Sequence, residues 1–448
     1  MLRSQEQIPQ ASTAPHCFQK MQWITNPLAY MEAASQECGD IFKAPIIGKY
    51  PYVLLVSHPQ ALQEIFANHH QFISPPNPLV QPIVGDYSLF VLEGERHRRE
   101  RKLLMPSFHG ERILAYGQLI SNLTEKVMTQ LHPGQVFTAR DLIQEISLEV
   151  ILQAVFGIHS GERFNELKQE IITLTDGFRS PLKSGALFFP SLQKDLGAWS
   201  PWGSFLRNKG RISQLLLAEI QERRQEGNPT RSDILSLLLE TKDESGEGMT
   251  DEQLRDELIT LLLAGQETTA TAISWGLYWI YKLPEVRDKL HQELASLGDK
   301  ATPMEIVSLP YLTAVCQETL RIYPVAILTV PREVKEPVEL MGYQLEIGTR
   351  IYGCIYLTHH RPDLYPQPKQ FKPERFLDRQ FTPYQFLPFG GGIRRCLGEA
   401  LALFEMKLVL AKIVFNYQLT LADKQPEYPQ RRGVTLAPAR GVRMMMQG

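Results

Sequence analysis

The chain is short of cysteine, with five in 448 residues: Cys17, Cys38, Cys316, Cys354 and Cys396. They are scattered and odd in number. That argues against the disulfide framework of a small secreted domain, and no close-set pair offers zinc-ligand spacing. A reducing, intracellular setting is expected. No run of about eighteen apolar residues occurs, so no membrane-spanning helix is expected. Residues Met1 to Ala14 are polar and lack an apolar core, which argues against a signal peptide or anchor. Neither sign of charge dominates; a net charge of −2 gives no reason to expect a nucleic-acid partner. No flavin or nicotinamide fingerprint, internal repeat, low-complexity tract or linker is visible. With 43% hydrophobic residues the chain can bury a large core. Length alone suggests about three domains, but without a linker one domain over residues 1–448 is expected, its first 20 residues loosely ordered.

Hydrophobic periodicity sketches the elements. Ile41 to Ile47 and Tyr52 to Val56 are short β-rich runs, and Pro59 opens a helix to about Ala67. From Gly94 to Val286 the pattern is helical, broken by loops. One such loop, Ser180 to Gly203, sets Leu187, Phe188, Phe189, Trp199 and Trp202 among prolines and glycines. Thr250-Asp251-Glu252-Gln253 is a capping-box signature, and apolar periodicity continues to about Lys282, where Pro284 stops it. A helix that long and apolar must cross the middle of the molecule. Pro310 to Tyr323 is a further helix. Val338 to Leu345 and Arg350 to Tyr356 read as strands, Pro362 to Pro388 is aperiodic, and Leu397 to about Phe415 is a last long helix. Helices dominate and βαβ alternation is missing, which is an α+β domain made mainly of helix.

One cysteine stands apart. Cys396 lies in Phe389-Gly390-Gly391-Gly392-Ile393-Arg394-Arg395-Cys396-Leu397-Gly398. The glycines permit close backbone approach. The positive end of the following helix, together with Arg394 and Arg395, favours a thiolate, which is a metal ligand or a nucleophile; a buried structural cysteine is the plain alternative. The central helix carries Ala264-Gly265-Gln266-Glu267-Thr268-Thr269 after an apolar run. Unpaired polar groups are costly in a core, and Gly265 costs about 1 kcal/mol against alanine; a glycine there can open a groove for a ligand or water. A polar kink with packing value only is the rival reading. Glu318 and Arg321 stand at i, i+3 and can pair, although such pairs are usually solvated. Pro373-Glu374-Arg375-Phe376 adds another arginine. Gly94 to Arg101 reads as a helix with His97 and Arg101 on one face.

Taken in order, these motifs resemble the cytochrome P450 family over nearly the whole chain. F-x-x-G-x-R-x-C-x-G is similar to that family's haem loop, Ala264 to Thr268 to its A/G-G-x-E/D-T distal helix, and Glu318 to Arg321 with Arg375 to its E-x-x-R and P-E-R-F elements. The resemblance implies a helix-rich triangular single domain with small sheets, binding haem b through Cys396. It places Phe389, Gly390, Gly398 and Ala264 beside the cofactor. It assigns Arg101, Arg394, His97 and Arg332 to the propionates; the common W-x-x-x-R pattern has His97 in place of tryptophan. Glu267 and Thr268 become proton-delivery residues, and Glu318, Arg321 and Arg375 a buried triad that locks the cysteine loop.

The implied reaction is monooxygenation with O2, hydroxylating or epoxidising the substrate. A separate ferredoxin or flavodoxin with its reductase would supply the electrons, docked on the basic residues Arg98, Arg99, Arg101, Lys102, Arg395 and Lys407. Leu89, Phe90, Val91, Ala264, Ala326, Ile327 and Val330, with the loop around Phe188, are expected at the substrate. Being apolar, they suit a lipophilic molecule of the fatty acid, alkane or terpene type. A cytoplasmic monomer is expected, with the loop from Phe188 to Trp202 either touching a membrane surface or covering the core. The alternatives are a haem-thiolate peroxygenase or isomerase acting on an oxygenated lipid, whose relatives often lack the acid–threonine pair, and a non-catalytic haem-binding protein.

Overall fold

A computed structural model describes residues 3–447 apart from 48–49, 77–79, 109, 178–192, 198, 228–230, 232, 299–300 and 434. The chain divides into two compact, discontinuous units: residues 1–75, 317–396 and 429–436 form the first, and residues 76–316, 397–428 and 437–448 the second.

The first unit is built on a five-stranded sheet in the order Ile41–Ala44, Val53–Val56, Arg350–Gly353, Arg332–Val334, Phe72–Ile73. Val53, Leu54, Leu55 and Val56 are all fully buried, so this strand shows an unbroken apolar run rather than alternation. It pairs antiparallel with Ile41–Ala44 and parallel with Arg350–Gly353. A smaller sheet holds the hairpin Val338–Leu340 and Tyr343–Leu345, turned by Met341 and Gly342 with positive φ at both. Residues Arg3–Ser4 add a third strand to it. The segment expected to be loosely ordered is therefore tied down. Gln5 spends its amide on Tyr52, Glu346 and Thr349, and Ile8 joins the core. A second correction concerns residues 350–356, read as one strand: pairing ends at Gly353 and a helix, Ile355–His359, follows. The β-branched and aromatic side chains of Ile355 and Tyr356 gave the misleading strand signal.

The second unit is helical. Its long helix, Asp251–Lys282, has 32 residues, about 48 Å at 1.5 Å per residue. The capping box forms as expected: Gln253 donates its amide N–H to the Thr250 hydroxyl, and the Thr250 N–H reaches the Gln253 side chain at 2.8 Å. Helices Ala139–Phe156, Pro201–Glu226 and Glu399–Asn416 pack against it. Two glycines allow the approach: a Cβ on Gly265 would lie 2.7 Å from Ile151, and one on Gly276 2.9 Å from Leu410. Gly265 thus serves helix packing; the groove expected from it is filled by Ile151. The last helix begins at Glu399 after the Gly398 cap, two residues later than its apolar pattern suggests. A three-stranded antiparallel sheet, Leu419–Leu421, Arg443–Met446 and Val136–Thr138, completes the unit. Of the aromatic loop, Trp199 is exposed, whereas Trp202 belongs to helix Pro201–Glu226 and is buried against Phe205. Leu187, Phe188 and Phe189 lie outside the described residues.

Candidate functional site

In the first unit the cysteine loop is shaped by its glycines. Gly390 and Gly392 have φ of 72° and 63°, a region costly for other residues. A Cβ on Gly391 would lie 2.5 Å from the Phe66 ring, on helix Pro59–Ala67. The Gly390 N–H donates to the Leu387 carbonyl and the Cys396 N–H to the Phe389 carbonyl, both at 2.9 Å. The loop thereby closes on itself and fixes the cysteine backbone. Cys396 is exposed, in contrast to Cys316 and Cys354, each fully buried. Burial pushes the Cys316 thiol up to about 12 and the Cys354 thiol higher than its ordinary value too, so neither supplies a thiolate near neutrality.

Two cations border the loop. Arg332, 3% exposed, donates to the carbonyls of Val330, Pro331 and Gly391 and lies over the Phe66 ring. Burial first, and the Arg394 charge second, pull its pKa down to about 10. Arg394 donates to the Ser74 hydroxyl at 2.8 Å. Among the described residues no carboxylate forms an ion pair with Arg332. A buried guanidinium beside a second one suits an anionic group.

The E-x-x-R pair is buried rather than solvated: Glu318 and Arg321 are both fully inaccessible. The Glu318 carboxylate accepts from Arg321 Nε at 2.6 Å and Nη2 at 2.9 Å, from Arg375 Nε at 3.1 Å and from the Lys372 backbone at 2.8 Å. The remaining guanidinium donors reach the carbonyls of His359, Gln370 and Pro366. Both carboxylate oxygens and most guanidinium donors are engaged, the condition under which a buried charge cluster is tolerated.

In the second unit, Thr268 donates its hydroxyl to the Ala264 carbonyl at 2.5 Å, one turn back. Glu267 is held by a residue that sequence reading did not single out. Arg140, 1% exposed, places Nη2 2.5 Å from both carboxylate oxygens of Glu267, whose side chain stays 19% exposed. Leu261, Ala264 and Thr268, at i, i+3 and i+7, are partly exposed along one face of the long helix, while Leu262, Gln266 and Thr269 are buried.

On helix Gly94–Leu104 His97 is buried and Arg101, one turn on, half-buried. The neighbouring basic stretch is largely neutralised: Arg98 pairs with Glu95, Arg99 with Asp243 and Lys102 with Glu244. Lys407 donates to the Val307 carbonyl. Of the residues expected at the substrate, Leu89 and Ala264 are half-buried, Phe90 is exposed and Val91 is buried in the second unit; in the first, Ala326 is exposed, Val330 half-buried and Ile327 buried. The long helix holds the loop ahead of Val91: the Tyr87 N–H donates to Asp256, and the Thr260 hydroxyl donates to Ser88 at 2.7 Å.

An exposed thiol in a glycine loop, with the buried Arg332 and the half-buried Arg394 bordering that loop, fits haem b, which needs one axial ligand and partners for two propionates. The comparisons agree. The Cytochrome P450 family model matches residues 9–444. An inferred cytochrome P450 135A1 of Mycobacterium tuberculosis is 31% identical over 446 residues, covering 98% of this chain and 95% of that protein. An inferred cytochrome P450 135B1 of Mycobacterium bovis is 32% identical over 429 residues, 95% of this chain and 88% of that one. A retinoic acid-bound cyanobacterial CYP120A1 shares the fold with a TM-score of 0.87 at 24% identity, covering 100% of this chain and 99% of that one. The chain belongs to the cytochrome P450 family, the haem-thiolate monooxygenases.

Proposed function

We propose that this cytochrome P450 hydroxylates or epoxidises a lipophilic small molecule of the fatty acid, alkane or terpene type, with Cys396 as the thiolate ligand. The reading rests on one observation: Cys396 is the exposed cysteine of a loop whose glycine turns and Cys396-to-Phe389 hydrogen bond fix its backbone. When bound, haem supplies the oxidising chemistry at O2, and thiolate donation favours O–O cleavage.

This chain's residues supply the rest. Arg332 and Arg394, with His97 and Arg101, are assigned to the propionate charges. Phe389, Gly390, Gly398 and Ala264 are assigned to close contact with the macrocycle. Thr268 commits its own proton to the Ala264 carbonyl, so its oxygen is left to accept a proton donor. Glu267 is assigned to pass that proton outward, a role supported by its being held by Arg140 yet partly open to solvent. Glu318, Arg321 and Arg375 hold the chain leading to the cysteine. The lipophilic substrate follows from Leu89, Phe90, Val91, Ala264, Ala326, Ile327 and Val330, which carry no polar side chain. Lacking a flavin or nicotinamide fingerprint, the chain takes electrons from a separate carrier of the ferredoxin or flavodoxin type. A cytoplasmic location completes the reading; among the described residues no helix is long and apolar enough to cross a membrane.

The ferrous–CO difference spectrum tests it. A strongly red-shifted Soret band is expected for the purified protein, and its loss in Cys396→Ser. A mutant that kept the wild-type band would remove Cys396 from its role. Turnover with a surrogate ferredoxin and reductase, set against turnover with peroxide, separates monooxygenation from peroxide-driven or isomerase chemistry.

A further inference from the structure

The buried triad does not end at Arg375. Arg321 also donates Nη1 to the backbone carbonyl of His359 at 2.9 Å. His359 closes the short helix Ile355–His359 and is fully buried. Its ring turns towards the segment that leads to the cysteine: the Leu387 backbone N–H donates to His359 Nε2 at 2.9 Å, across 28 residues of sequence. The ring stacks on Phe386 at 5.3 Å and meets Tyr365 edge-on at 6.4 Å. Tyr365 in turn donates to the Gln385 carbonyl. From Leu387 the hydrogen bonds continue towards the sulfur. The Leu387 carbonyl accepts from Gly390, and the Phe389 carbonyl accepts from Cys396.

An imidazole that accepts at Nε2 must be neutral, with its proton on Nδ1. The surroundings enforce that state. Burial lowers the His359 pKa well below its ordinary value, and the charges of Arg321 and His360 lower it further, outweighing the opposite pull of the Arg321 and Leu320 backbone. Leu387 is 1% exposed and precedes Pro388, which has no N–H. Without His359 the Leu387 amide would be a buried donor without its acceptor, which is costly.

We propose that His359 is a positioning residue for the proximal cysteine: as a neutral acceptor it fixes Leu387, the start of the backbone ladder that holds Cys396, and couples that ladder to the Glu318–Arg321–Arg375 cluster. This rests on Cys396 being the iron ligand.

The test compares His359→Phe, which keeps an aromatic ring and removes the acceptor, with His359→Gln, whose side-chain oxygen stands near the Nε2 position. Two readouts are taken: hydrogen exchange of the Leu387 amide in the folded protein, and the ferrous–CO band of the haem-loaded protein. In His359→Phe the amide should exchange about tenfold faster or more, the least that losing a buried hydrogen bond implies, and the red-shifted band should give way to an ordinary haem–CO band. His359→Gln should restore both readouts towards wild type. Unchanged exchange and band in His359→Phe would overturn the proposal, as would equal damage in both variants. If His359→Phe does not fold, His359→Gln decides alone: slow exchange supports the proposal and fast exchange overturns it. A wild-type protein without the red-shifted band would defeat the Cys396 assignment, while the exchange comparison would still report on the His359–Leu387 contact.

Discussion

The two units each bury a glutamate–arginine cluster, and the clusters are built to opposite plans. In the first unit the carboxylate is the hidden partner. Glu318 has no access to solvent and is surrounded by Arg321, Arg375 and a backbone amide. In the second unit the guanidinium is hidden: Arg140 is 1% exposed, while Glu267 at its tip is 19% exposed. A carboxylate hidden from solvent and gripped by two guanidinium groups is suited to holding its neighbours in place. One that is anchored from behind and open in front is oriented and still meets solvent. The same residue pair therefore makes a closed cluster in one unit and, on the proposed function, a steered acid in the other.

The closed cluster gives the largest effect. Glu318→Ala leaves two guanidinium groups buried without their anion, and it should destabilise the protein by about 3–5 kcal/mol, the usual cost of breaking a buried ion pair. Haem should be lost on gel filtration, read as a fall in the Soret-to-protein absorbance ratio. A variant that kept both its unfolding midpoint and its haem would show that the cluster is a bystander.

The steered acid should behave differently. In Arg140→Leu the orphaned group, Glu267, already reaches water, so the stability cost should be about 1 kcal/mol or less. The damage should appear in coupling: product formed per electron consumed falls, and peroxide rises. Thr268→Ala should uncouple in the same direction. If Arg140 acts through Glu267, Arg140→Lys should recover part of the loss by keeping the charge without the fork. If Arg140→Leu unfolded as readily as Glu318→Ala while coupling stayed intact, the contrast between the units would collapse.

How much of this the sequence disclosed follows from the range of each signal. The long helix was legible because its start is local: Thr250 and Gln253 cap it within one turn, and Pro284 ends it. The cysteine loop was legible for the same reason, its glycines, arginines and cysteine falling within ten residues. Glu318, Arg321 and Arg375 were readable only through family resemblance, since nothing in E-x-x-R distinguishes a buried pair from a solvated one. Arg140 was hidden, because it meets Glu267 across 127 residues and follows a strand-like Val136–Thr138 in an ordinary first helical turn. His359 was hidden too, its partner being a backbone N–H, which carries no sequence mark. Gly265 was misread because a helix glycine looks the same whether it faces a ligand or, as here, Ile151.

A third buried carboxylate sharpens the comparison with the smallest effect. Glu405, on helix Glu399–Asn416, is 2% exposed and accepts a hydrogen bond from the Ser147 hydroxyl at 2.5 Å. Among the described residues no arginine accompanies it in an ion pair, and burial raises its pKa from 4.5 to about 7 despite the Ser147 bond. A folded-state value above the unfolded one means that the contribution to stability is fully present below about pH 4.5 and is lost as pH rises through about 7. Between pH 6 and 8 the loss should be on the order of 1 kcal/mol, from 1.36 kcal/mol per pH unit at full difference. Glu405→Gln keeps the acceptor for Ser147 and removes the charge, so its unfolding midpoint should fall less than that of wild type over this range. Equal slopes for the two proteins would mean that Glu405 is paired after all, and that burying a carboxylate without a guanidinium is not what sets it apart from Glu318 and Glu267.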